Sequence, residues 1–268
     1  MSTKFLITMV ILANIFAMEQ VLGMTSVTLH GVTDTLPSEK EKYKVALETA
    51  AAAFQDAEKL FADPTFESRD GWKVDQSNDD DDVVYAKHTK EGTKMVTVRT
   101  VLAGKVDDVM QETWTGASGL PEWNPNIDFA STIANLTDHV DILTYGNNDI
   151  LVVSGREFVS ARLYRKVGDY YIMASRSVNL TDVPEKRGKV RAWLYLAAAR
   201  FRADPTDPEN KTLTDVVMHV DLKGFLPKLL VNQVVGKIML MDAEQNKKHF
   251  GEIKQKKDEA KKAANDAA

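Results

Sequence analysis

"GREFVSAR", Gly155 to Arg162, sets an arginine in the middle of a run that otherwise reads as a half-buried strand. Alternation along an extended chain sends Phe158, Ser160 and Arg162 to one face and Val159, Ala161 and Leu163 to the other. Arginine is rarely fully buried without a partner. With the Phe158 face interior, Arg162 has to meet a carboxylate, a carbonyl, water or a bound ligand. The fold follows from what surrounds this strand, and the function from what Arg162 meets.

Outward from it, the chain reads as further strands: "FASTIANL", "HVDILTYG", "DYYIMASRSV", "KVRAWLYLAAARFRAD" and "TLTDVVMHVDLKG". Upstream, "WKVDQ", "VVYAKHT" and "KMVTVRTVLA" are short β-rich runs joined by polar turns, the pattern of a meander. A helix from Lys105 to about Trp114 and the loop "GLPEWNPNI" interrupt the series. Ahead of it all, Ser38 and Glu41 make a capping box that opens an alanine-rich amphipathic helix, which stops at Asp63-Pro64. After the last strand, Leu226, Leu230, Val234, Ile238 and Met241 repeat every three to four residues, which puts an apolar stripe on a long final helix. Phe225, Leu229, Val231, Val235, Met239 and Leu240 widen that stripe beyond a single face. Helix, many antiparallel strands and a closing helix make an α+β domain over residues 38–250, with a linker at 24–37. The Lys/Ala-rich stretch 251–268 is a solvated helix extension or a disordered tail.

Composition narrows the function. The chain has 268 residues and a formal charge of -5, and no basic stripe with interleaved aromatics appears, so nucleic acid is excluded as a main partner. Cysteine is absent, which removes disulfides, thiolate ligands and a thiol nucleophile together. The five histidines are scattered with no HExxH pairing, and Asp79–Asp82 lacks the glycine and spacing of a calcium loop, so no metal site is expected. The first residues differ in kind: one lysine, an apolar run from Phe5 to Ala17, then short residues around Leu22-Gly23. Residues 1–23 read as a secretory signal peptide, with an uncleaved anchor as the alternative, although the run is short for a span that needs about 20 apolar residues. Asn135, Asn179 and Asn210 open acceptor tripeptides for glycosylation that a secreted route would use.

Four stretches, "GWKVDQ" (71–76), "EWNPNI" (122–127), "REFVSAR" (156–162) and "DLKGFLPKLLVNQVV" (221–235), resemble in order the START lipid-transfer domains of the steroidogenic acute regulatory branch. The resemblance implies a helix-grip fold, in which a curved antiparallel sheet and the long C-terminal helix enclose a hydrophobic tunnel for one lipid. It further implies that Arg162 sits deep in that tunnel with an acidic partner from the preceding strand, and that the pair or its water meets a hydroxyl or keto group of the ligand. Relatives carry an acidic tripeptide before the lid loop, whereas this chain has Thr144-Tyr145-Gly146. Asp141 on the same strand and Asp149 in the loop are the remaining candidates, and strand placement favours Asp141.

The expected ligand-binding set is therefore Arg162, Asp141, Ser160, Phe158, Tyr145, Asn232, Phe225 and Leu229. The expected function is a non-catalytic, monomeric carrier of one sterol or carotenoid, without a cofactor and in transient contact with membranes, in a secreted or luminal compartment. Two alternatives stand beside it: a helix-grip enzyme and a membrane-anchored exchange protein. The enzyme lacks a visible nucleophile or base constellation, because His219 reads as packed on its strand and Tyr145 stands alone.

Overall fold

The computed structural model describes residues 25–266 except 80, 81, 90, 91 and 151, and of residues 228, 229 and 232 it describes the backbone alone. The signal-peptide reading of residues 1–23 and the side chains of Leu229 and Asn232 thus lie outside the described residues.

The segment read as a linker is instead a β-hairpin. Strands β1 (Ser26–Leu29) and β2 (Val32–Thr35) pair across a two-residue turn in which His30 and Gly31 both take positive φ, at 51° and 75°. That is the primed-turn geometry whose twist suits a hairpin. A buried ion pair holds it to the body: Arg165 donates to Asp34, both 2% exposed, and Asp34 also accepts from Thr137 Oγ1 at 2.6 Å. The capping box does not form. Residues Ser38–Tyr43 make a 3-10 turn, Glu41 accepts instead from Thr25 Oγ1 at 2.8 Å, and the α-helix proper, α1, runs Lys44–Ala62. A short helix α2 (Pro64–Ser68) follows, with Asp63 capping the Thr65 amide.

Strands β3 (Lys73–Ser77), β4 (Val83–His88) and β5 (Lys94–Ala103) form the expected meander. Helix α3 (Val106–Thr115), a 3-10 turn at Gly116–Gly119 and a single turn α4 (Leu120–Trp123) then interrupt the strands. Strands β6 (Ile127–Asn135), β7 (Val140–Asn147), β8 (Arg156–Val167), β9 (Tyr170–Ser177), β10 (Val190–Arg191), β11 (Trp193–Ala203) and β12 (Lys211–Asp221) complete a curved sheet of ten strands among the described residues. Its order is β3-β4-β5-β12-β11-β9-β8-β7-β6, with β10 pairing parallel to β8. Helix α5 (Lys228–Asp266) closes the chain; at 39 residues it is about 58 Å long. The Lys/Ala-rich end belongs to this helix as far as Asp266 and is exposed from Gln255 to Asp266.

The sheet is covered on both faces, which is why β8 is buried almost continuously rather than on alternate residues. Helix α1 packs Leu47, Ala50, Phe54, Ala57 and Phe61 onto the face that carries Val159, Ala161 and Leu163. Its alanines let the helix approach the strands closely. On that face Asp215, fully buried, accepts from Arg99, Arg200 and Arg202 and so ties β5, β11 and β12 in register. Helix α5 covers the opposite face, packing Val234, Val235, Met239 and Ala243 against Val84, Val96, Phe158 and Leu194. Gly236 allows that approach, since a Cβ there would stand 1.8 Å from Asp75 Oδ2.

Replacing Asp34 with alanine strands the buried guanidinium of Arg165. Urea unfolding should show a loss of about 3–5 kcal/mol, the cost of breaking a buried pair; a hairpin that hung free of the body would leave stability unchanged.

Candidate functional site

The strand register builds the site. Asp141 faces Arg162 across β7 and β8, Arg162 faces Ser175, Ser175 faces Ala197, and Ala197 faces Met218. Directly opposed residues share a face of the sheet, so these five side chains form one row across the α5-covered surface. A second row sets Leu143 opposite Ser160, and a third sets Tyr145 opposite Phe158.

Arg162 is 7% exposed and is held from three directions. Its Nε and Nη2 donate to Asp141 Oδ1 and Oδ2 at 2.9 and 2.6 Å, a bidentate pair, and Nη2 also donates to the carbonyl of Trp114 at 3.1 Å. Its guanidinium carbon lies 4.3 Å from the centre of the Trp114 ring, at the end of α3. Asp141, placed by strand position alone, is the partner. Asp149 instead accepts from the Gly155 amide and shapes the loop. Nη1 is left without a protein acceptor among the described residues.

Above this row lies a cavity of ≈ 290 Å³. Its sheet wall carries Arg162, Ser160, Tyr145 and Ser175 among apolar Leu143, Met173, Ala197 and Met218. Its other walls come from α3 and the turns after it, and from α5 through Met239, Asp242, Asn246, His249 and Phe250. One end is closed by Trp123, stacked on His249 at 4.1 Å, with His249 Nε2 3.0 Å from Glu112 Oε1. Ser160 Oγ is buried and has no hydrogen-bond partner among the described residues. An orphaned hydroxyl at a cavity wall is a polar contact in want of a ligand or water.

The other expected residues divide. Tyr145 lines the cavity, and burial with the charge of Asp242 pushes its phenol above the ordinary value, so it remains a donor. Phe158 does not line it; the ring stacks 5.0 Å from Tyr145 within the core against α5. Phe225 is a correction. It lies before α5 begins and is fully exposed, because the turn at Lys223 and Gly224, both at positive φ, carries it away from the sheet. His219 meets Thr93 Oγ1 at 2.7 Å and Tyr195, away from the Arg162 row. Asn135, Asn179 and Asn210 are all exposed.

Sequence reasoning missed the polar residues of α5. Asp242 and Asn246 continue the same helical stripe as Val235 and Met239, so polar side chains falling on an apolar repeat were the available signal. Asp242 Oδ1 accepts from Asn124 Nδ2 at 3.1 Å and from Asn126 Nδ2 at 3.3 Å, which gives the asparagines of "EWNPNI" a structural task. Burial raises the carboxyl above its ordinary 3.8, against the opposing effect of those two bonds.

A curved sheet gripped by one long helix over a largely apolar cavity, with the buried Arg162 in its floor, defines a helix-grip domain. Residues 53–256 match the START domain, and the chain belongs to that family. It is 56% identical over 233 residues to the steroidogenic acute regulatory-like protein 1 of Caenorhabditis elegans, covering 87% of this chain and 89% of that one. To the mitochondrial steroidogenic acute regulatory protein of Mus musculus it is 25% identical over 189 residues, 68% of this chain and 65% of that one. In structure it is similar to the human StAR-related lipid transfer protein 5, with a TM-score of 0.69 at 19% identity over 79% of this chain and 99% of that one, a likeness of fold.

The raised Asp242 carboxyl has a consequence for stability. A group whose folded pKa exceeds its unfolded one adds stability that is complete below the unfolded value of 3.8 and is lost as pH rises through the folded value. Asp242→Asn, neutral throughout, should therefore melt higher than the parent at pH 7, with the two curves converging as pH falls toward 4.

Proposed function

We propose that this protein is a non-catalytic carrier that holds one apolar lipid, a sterol or a carotenoid, in the Arg162 cavity and transfers it between membranes. The observation that carries this reading is the pairing of a satisfied Arg162–Asp141 couple with an orphaned Ser160 hydroxyl in a largely apolar cavity. Nη1 and Ser160 Oγ together offer a hydroxyl or keto group of a bound lipid both a donor and an acceptor. Affinity comes from buried apolar area at about 25 cal/mol per Å², and the polar end sets orientation and selectivity. No turnover is required of such a site. On this reading one lipid goes to one chain, and the carrier is a monomer.

Exchange requires the cavity to open. Arg156 donates to the carbonyls of Ser154, Leu222 and Lys223, at 2.5, 2.9 and 3.1 Å, and so couples the 147–155 loop to the turn before α5. Val152 and Phe225, at 81% and 109% exposure, stand in these two segments. This is the edge we assign to transient membrane contact, with the loop and the start of α5 moving together.

For its location we propose the secretory route, on the apolar run Phe5–Ala17 and the short residues after it. The mouse relative is named as mitochondrial, and N-terminal sequencing of the mature protein separates the two addresses. A start near Gly23, with sugar on Asn135, Asn179 or Asn210, supports secretion. An intact Met1 on a glycosylated chain marks the uncleaved anchor, and an unglycosylated protein recovered from mitochondria rejects the secretory route.

Purification from the native source, with absorbance at 300–550 nm and mass spectrometry of an organic extract, tests the carrier. A stoichiometric sterol or coloured polyene is expected, and the double change Arg162→Leu with Asp141→Leu, which removes the buried pair without stranding a carboxylate, should lower its occupancy about tenfold or more while the fold persists. A protein that stays empty when offered sterols and carotenoids overturns the ligand assignment.

A further inference from the structure

Asp242 faces the cavity from α5, on the wall opposite the sheet that carries Arg162. It is not a counter-ion for that arginine, whose bidentate partner is Asp141. Both asparagine bonds to Asp242 end on the same oxygen, Oδ1, and Oδ2 accepts nothing among the described residues. The arrangement is preorganised: Asn124 is 3% exposed and its own Oδ1 is occupied by the Asn126 amide at 3.0 Å, which fixes the amide group that donates to Asp242. Anchoring α5 to the loop before β6 needs only an acceptor, and an asparagine or glutamine would serve without burying a carboxyl. A second acceptor oxygen in the cavity wall is thus unexplained by the fold. Tyr145 lines the same cavity, and its hydroxyl feels the charges of both Asp242 and Arg162.

We infer that Asp242 is a specificity-determining contact: its free Oδ2 accepts a hydroxyl from the bound lipid, so that the cavity selects lipids hydroxylated at two separated positions over those hydroxylated at one. This inference rests on the carrier reading and deepens it. Arg162 with Ser160 takes one polar end, and Asp242 takes the other. A hydroxyl suits the site in either protonation state of the carboxyl, since it donates to the carboxylate and accepts from the acid. The chemistry also works by exclusion. A lipid with an apolar group at that point would take water from the half-buried carboxyl and give it no donor, and sites built to bond a hydroxyl discriminate strongly against analogues that lack it.

The test compares paired lipids on three scaffolds: cholesterol with 25-hydroxycholesterol, β-cryptoxanthin with zeaxanthin, and octadecanol with 1,12-octadecanediol. Binding to the full chain is followed by quenching of the tryptophans, two of which, Trp114 and Trp123, border the site. On each scaffold that binds, the parent should prefer the diol by about tenfold or more, the scale of one hydrogen bond to a charged group. Asp242→Leu should abolish that preference, weakening the diol and tightening the mono-alcohol, because the leucine offers the second hydroxyl no acceptor and no longer opposes an apolar group there. Asp242→Asn, which keeps an oxygen for the two asparagines and guards against a folding defect, should reduce the preference to about threefold. Equal binding of both members by the parent, or a preference that survives Asp242→Leu, overturns the role of Asp242 and leaves the carrier reading standing. Failure of all six lipids to bind the parent overturns both.

Discussion

The Arg162–Asp141 pair is the constraint on which the interior depends. A guanidinium buried in a sheet face has no water to fall back on, so its carboxylate must stand directly opposite on the neighbouring strand. A slip of one residue between β7 and β8 would turn Asp141 to the α1 face and leave two buried charges apart. The same arginine accepts the end of α3 as a lid, through the Trp114 carbonyl and the face of its ring. One side chain thus sets strand register, positions a helix end and presents a spare donor to the cavity. Breaking such a pair costs more than its formation gains, which makes it a device for specifying one arrangement.

Helix α5 answers that polar floor from the other side. Its first turns supply Val234, Val235 and Met239 to a packed core, and the next turn supplies Asp242 and Asn246 to the cavity. The change from apolar to polar along one stripe follows the change from contact with strands to contact with space. Gly236 is where the helix comes nearest to β3, and the stacked Trp123 and His249 are where it meets the far wall. Between these two contacts the cavity is what the sheet's curvature leaves unfilled.

Most of the architecture was legible because it is written in periodicity. Alternation located the strands, and the repeat from Leu230 to Met241 located the closing helix, with errors of a few residues at the ends. The hairpin at 26–35 was missed because its strands are short and threonine-rich and its turn, His30-Gly31, lacks the Asn-Gly or Asp-Gly signature; what holds it is Arg165, more than a hundred residues away. The capping box failed for a similar reason: Glu41 found Thr25, a partner from that unforeseen hairpin, rather than its own helix. In the site, Arg162, Ser160, Tyr145 and Asp141 were readable from one strand pair, because register is local. Phe225 was not, since a single left-handed turn at Lys223-Gly224 decides whether a residue joins the helix stripe or leaves it. Asp242 showed in the sequence only as a polar residue on an apolar repeat, and its partners Asn124 and Asn126 lie far off in sequence.

The two larger of the sheet's three cores share strands and little else: one beneath α1, rich in close-packed alanine and phenylalanine, and one beneath α5 that adjoins the cavity, while a third, smaller core joins α3 and the middle of α5. Val159 and Ala161 belong to the first, while Ser160 and Arg162 face the second. The energetic ledger of the α1 side therefore closes without any cargo. In the proposed carrier, cargo would meet the α5 face, and the packed α1 face would back it. Such a division lets a carrier be soft where it must yield and firm where it must keep its shape, within a single cooperative chain.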